Sequence, residues 1–121
     1  MKVLVFGNPY LEYDSLAIEI AEELELEGVE FVKCNSPEQV MQEEFDYIMD
    51  VVEGIYEFQV FSDLKKLSPH RMFSLHDFDL TFFLGLMERL GKVDKVQIIG
   101  IPIDYDKEKA KEEVRQVLTG H

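Results

Sequence analysis

Cysteine is nearly absent from this chain. Cys34 is the only one, so no intrachain disulfide can form and a cysteine-built metal cluster is excluded. Basic residues are also scarce: 12 Lys and Arg stand against 25 Asp and Glu, a formal net charge of −13. Nucleic acid binding needs cationic side chains to replace phosphate counterions, so that class is disfavoured, as is an anionic membrane surface. A basic protein partner or a cation remains compatible. No apolar run approaches the length of a membrane span. The N-terminus lacks the charged start, apolar segment and cleavage site of a signal peptide. Together these point to the cytoplasm. Several catalytic signatures are missing as well. The loop after the first strand has neither G-x-G-x-x-G nor G-x-x-x-x-G-K-[ST], which leaves a dinucleotide or P-loop site, or a flavodoxin-like phosphate cradle, without support. There is no G-x-S-x-G elbow and no H-E-x-x-H.

What is present is a globular chain of 121 residues, 46% hydrophobic, enough for one domain over residues 1–121 with a modest core. Residues 2–6 form a short valine-containing apolar run that suits a central strand, stopped by Gly7-Asn8-Pro9. A helix is expected over 15–27, with Ala17, Ile20, Ala21 and Leu24 as its buried stripe, Asp14 as its N-cap and Gly28 as its end. Glu19, Glu22, Glu23, Glu25 and Glu27 read as its solvated side. A second strand follows at 29–33, a short helix at 36–44, and a third strand at 45–51 with Asp50 near its carboxyl end. Residues 55–61 alternate as an antiparallel edge strand, joined to the third by too short a gap for a crossover helix. Residues 62–75 are the least regular stretch. A helix apolar nearly all round spans 75–90 and closes at Gly91. A buried strand at 95–101 and a helix at 107–118 complete the chain, with 119–121 as a frayed tail. The pattern predicts an α/β fold: a three-layer α/β/α sandwich whose mostly parallel sheet has about five strands, one of them an antiparallel edge strand.

In such sheets the site lies outside the carboxyl ends of the parallel strands. Asp14 follows the first strand, Asp50 ends the third, and His70 lies in the loop before the apolar helix. Two carboxylates and an imidazole suit a divalent transition metal such as zinc, nickel or iron(II). The plainer reading makes Asp14 a helix cap, Asp50 a structural acid and His70 a loop residue. His76 is the rival imidazole, with a packing or capping role as its own plainer reading. Cys34 reads as a small buried hydrophobe.

Four stretches in register carry a family resemblance: Val5-Phe6-Gly7-Asn8 with Leu11 and Asp14, Asp46-Tyr47-Ile48-Met49-Asp50, Leu67-Ser68-Pro69-His70, and Val96 through Gly100-Ile101-Pro102. The chain resembles the [NiFe]-hydrogenase maturation endopeptidases. The resemblance implies an α/β/α sandwich with a mixed sheet, and a protease that trims the C-terminal extension of a hydrogenase large-subunit precursor after nickel insertion. It also implies that Asp14, Asp50 and His70 form the metal-interacting site. The nickel would be the one already placed in the precursor, with no permanent metal required. Cys34-Asn35-Ser36-Pro37 stands where the family carries a Gly-Thr-containing loop. That difference supports an alternative, a non-catalytic relative that binds a hydrogenase subunit or a metal without cutting.

Overall fold

A computed structural model describes residues 1–7, 15–34, 39, 42, 44–53, 55–61, 73–74, 89, 91 and 97–120. Its sheet contains β1 (Lys2–Phe6), β2 (Glu30–Cys34), β3 (Tyr47–Glu53), β4 (Gln59–Phe61), β5 (Phe73–Ser74) and β6 (Ile98–Pro102). The order is β2-β1-β3-β6-β4, with β5 pairing β3 off this path. β1, β2, β3 and β6 are mutually parallel, whereas β4 runs antiparallel to β6 and β5 antiparallel to β3. Two helices are described, α1 (Leu16–Glu23) and α2 (Lys107–Thr119).

The central strands β1 and β6 are apolar on both faces because both faces are buried. Val3, Leu4, Val5 and Phe6 of β1 are all fully buried, and each such side chain contributes about 1.5–3 kcal/mol relative to exposure. Alternation then sorts them. Val3, Val5, Met49, Val51, Ile99 and Ile101 share one core with Ala17, Ile18 and Ile20 of α1 and Ala110, Val114 and Leu118 of α2. Leu4, Phe6, Ile48 and Asp50 point to the opposite face.

The start of the sheet is pinned across a long stretch of chain. Lys2 N–H donates to Asp46 Oδ2 at 2.9 Å, and Asp46 N–H donates to the Lys2 carbonyl at 2.8 Å. α2 is capped as a helix should be: Asp106 accepts from Glu108 N–H at 3.0 Å, and Gly120 takes the left-handed C-terminal position at φ 76°. The expected fray at 119–120 is therefore replaced by order, since Thr119 Oγ1 donates to the Arg115 carbonyl at 2.7 Å. His121 lies outside the described residues.

Several expectations need correction. α1 stops at Glu23, four residues before the expected end, and Leu24 is already extended at φ −94°, ψ 113°. Two forces end it there. A glutamate-rich C-terminus with no basic residue in the last turn opposes the helix dipole. Leu24-Glu25-Leu26-Glu27 also alternates with period two, and Leu24 and Leu26 both pack on the core. Gly28, at φ 77°, serves the turn that follows instead of a helix end. Ser15, at the N-cap position, has helical φ and ψ and makes no side-chain bond to the helix N–H groups, and its Oγ donates to Glu19 Oε2 at 3.1 Å; Asp14, the expected cap, lies outside the described residues.

The segment after β3 also differs. β4 is three residues long and pairs with β6, not with β3, because β1 and β6 already occupy the two sides of β3. The expected alternation over 55–61 fails with it: Tyr56 is 93% exposed, while Ile55 is buried. β5 is a sixth strand, inside the stretch read as irregular. Of the apolar helix expected at 75–90, Arg89 is described and helical, and Gly91 has φ 67°. The remainder lies outside the described residues, as does most of the helix expected at 36–44.

Two predictions follow from α2. Asp106→Ala should cost about 1 kcal/mol in urea unfolding, the usual loss for an N-cap. The second concerns the link between helices, where Lys107 Nζ reaches Glu23 Oε2 at 2.8 Å and Lys111 Nζ reaches Glu23 Oε1 at 3.4 Å. Lys107 chiefly holds the Glu23 carboxyl below the usual range. A lowered folded-state value means this contribution is complete above the ordinary carboxylate range and is lost as pH falls through the lowered value. Thermal melts of Glu23→Gln should therefore differ from wild type at neutral pH and converge with it in acid. A constant difference at all pH values would remove the ion pair as the cause.

Candidate functional site

Asp50 is the one buried polar residue among the described residues, 2% exposed. Alternation along β3 places it. Met49 and Val51 face the two helices, so Asp50 faces away from them with Ile48 and Val52. The register defines its neighbours. Asp50 pairs with Gly100 of β6. One step beyond the Val5–Met49 pair, Phe6 of β1 comes level with it, and Phe6 pairs with Cys34 of β2. Cys34, Phe6, Asp50 and Gly100 thus form one row across four parallel strands, on one face.

This row corrects the expected position of Asp50. It is the fourth of seven residues in β3, not its end. β1 and β2, however, terminate at Phe6 and Cys34, so Asp50 is level with the carboxyl ends of both. β3 runs on because Val52 and Glu53 gain β5 as a partner.

A carboxylate in such a row is costly. Its in-sheet neighbours are Phe6, Ile48, Val52 and a glycine, and a charge inside an apolar layer must be compensated by polar groups or by function. Cys34, by contrast, fits the plain reading of a small hydrophobe: it is buried, with Sγ 3.6 Å from the Val32 carbonyl.

Gly100 and Phe61 were not recognised as site residues in the sequence. A Cβ built on Gly100 would lie 2.8 Å from Phe61 Cε2 and 3.3 Å from Ile55 Cδ1. The Phe61 ring therefore occupies the place of a Gly100 side chain, beside Asp50. The available signal was a glycine inside an apolar strand, which marks a close approach.

Asp14, His70 and His76 lie outside the described residues, so of the expected trio the structure describes Asp50. Among the described residues no three acids, histidines or cysteines converge as a metal site.

The strand order adds the position of a crevice. β1 leads to β2 on one side, and β3 lies on the other. In open α/β sheets the ligand crevice opens outside the carboxyl ends at this kind of reversal. The class so defined is a mostly parallel α/β sheet with a β1/β3 switch point and a buried acid in β3 beside the end of β1.

No protein-family model matches the chain, and no curated protein sequence matches it. Among solved structures it is similar to hydrogenase 2 maturation peptidase from a Thaumarchaeota archaeon, at 17% identity and a TM-score of 0.51. The match covers 99% of this chain and 97% of that one. The protein has the α/β fold of that peptidase over essentially its whole length, in agreement with the fold implied by the sequence resemblance.

If Asp50 is retained for function, the fold should do without it. Asp50→Val places a β-branched apolar residue in a central strand, and its unfolding free energy from urea titration should equal or exceed that of wild type, by up to about 2 kcal/mol. A loss above about 3 kcal/mol would make Asp50 a structural acid.

Proposed function

We propose that this protein is an endopeptidase that removes the C-terminal extension of a [NiFe]-hydrogenase large-subunit precursor after nickel insertion. The observation that carries this reading is the buried Asp50 carboxylate at the β1/β3 switch point, in a sheet with the fold of a hydrogenase maturation peptidase. An acid in that place has a use: it is a fixed anionic oxygen donor, held by a rigid central strand and directed away from the helical layer.

In this reading Asp14 and His70 complete the site, Asp14 from the segment after β1 and His70 from the segment after β4. The nickel is cargo of the precursor, not a resident cofactor. Two carboxylates and an imidazole are suited to engage a nickel ion whose other ligands come from the precursor. Bound there, the metal supplies Lewis acidity toward the scissile carbonyl or an attacking water. The chain's own residues supply orientation, and the engagement of metal makes cutting conditional on insertion. The place of action is the cytoplasm, where the precursor would be assembled. No helix among the described residues is long and apolar enough to cross a membrane.

The test is a mass measurement. Incubated with nickel-loaded precursor, the protein should release a C-terminal peptide, and metal-free precursor should stay intact. Asp50→Asn should slow release about 100-fold or more, the scale of losing a group that acts on the reacting centre. A stable complex at unchanged precursor mass would replace the proposal with a non-cleaving partner, the reading favoured by the Cys34-Asn35-Ser36-Pro37 difference.

A further inference from the structure

The Phe61 ring is out of proportion to the strand that carries it. β4 is three residues long, at the edge of the sheet, and Gln59 and Val60 are exposed. Phe61 alone of the three turns inward. It pairs with Ile98, so it lies on the same face as Ile98 and Gly100, which is the face of Asp50. It packs against the buried pair Val52 and Ile55. Its ring edge comes so close to Gly100 that even a methyl group there would meet Cε2 at 2.8 Å and Cδ2 at 3.5 Å.

Gly100 is the residue in register beside Asp50, and adjacent strands lie about 4.8 Å apart. Without the ring, the β6 side of Asp50 would be bare backbone. The β4 residue level with Gly100 is Gln59, which is exposed, and the Phe61 ring leans over the glycine from two residues along; the carboxylate thus has Phe6 beside it on β1 and the Phe61 ring over Gly100 on the β6 side. Ile48 and Val52 close the row along β3. These apolar groups flank the carboxylate within the sheet.

We propose that Phe61, seated on Gly100, is a positioning residue for Asp50. The glycine provides the seat, and the ring provides the wall that keeps water from the β6 flank and holds the carboxylate in one rotamer. This role rests on the reading of Asp50 as a functional acid, and it assigns to the edge strand β4 a purpose beyond closing the sheet.

The test uses Phe61→Ala, Phe61→Leu and Gly100→Ala in the full chain, with Asp50→Asn as reference, and reads two properties. The first is the carboxyl carbon resonance of Asp50 in aspartate-labelled protein at fixed pH, assigned by its loss in Asp50→Asn. Phe61→Ala and Gly100→Ala should shift or broaden it. Phe61→Leu, which refills most of the volume, should restore it toward the wild-type position. The second is cleavage of nickel-loaded precursor. Phe61→Ala should lower kcat at least tenfold with KM within about twofold, and Phe61→Leu should recover most of the rate. If Phe61→Ala does not fold, the Leu and Gly100→Ala variants decide the matter alone. An unchanged Asp50 resonance in folded variants overturns the positioning role. Absence of cleavage by wild type overturns the protease reading instead, and leaves the resonance to judge Phe61.

Discussion

The parallel pairing of β1 with β3 is the constraint on which the rest depends. Val3, Leu4 and Val5 pair with Tyr47, Ile48 and Met49, and this puts two apolar stretches side by side at the centre of the sheet. β2 and β6 then have one free side each to occupy. The reversal of strand order falls at this pair, and so does the crevice. Because β1 stops at Phe6 while β3 continues to Glu53, the pairing also leaves a step at the rim, and Asp50 stands at its foot.

That placement sets a cost against a use. Every other described residue in the middle of β1, β3 and β6 is apolar or glycine, and burial of those side chains is what stabilises the sheet. One carboxylate in the row forfeits part of that stabilisation. A sheet with this much apolar surface can tolerate the loss, and the same rigidity that tolerates it fixes the acid in space. The surroundings of Asp50 are as informative as the acid. Phe6, Ile48 and Val52 surround it, and a ring borrowed from an edge strand stands where Gly100 has no side chain.

Much of this was legible in the sequence. The run at 2–6 gave the first strand to the residue, and the periodicity over 107–118 gave α2 to within one residue. Such elements have one strong signal and nothing competing with it. α1 carried two signals: helical spacing through Leu24, and period-two alternation from Leu24 to Glu27. Tertiary burial of Leu24 and Leu26 decided between them. The partner of β4 was not legible, because chain proximity to β3 says nothing of which side β6 will take. Asp50 was picked out by its residue type in a strand. Its row was not, since register emerges only when the strands are laid together. Phe61 over Gly100 is a contact between residues 39 positions apart, and neither residue alone announces it.

The wide separation of paired segments has a consequence for how fast the molecule assembles. Lys2 meets Asp46, 44 positions away, and Asp50 meets Gly100, a gap of 50 from 100 − 50. Among the described residues no hairpin sits at the centre of the sheet to start it. Long loops must close before β1, β3 and β6 offer one another any burial, and closure entropy is lost before contact enthalpy is gained. Folding should therefore be slow for a chain of this size, on the order of milliseconds to seconds. During that interval the edges of the most apolar strands in the protein stand open, a window in which a chain with 25 acidic residues and a net charge of −13 is kept from its own copies by repulsion.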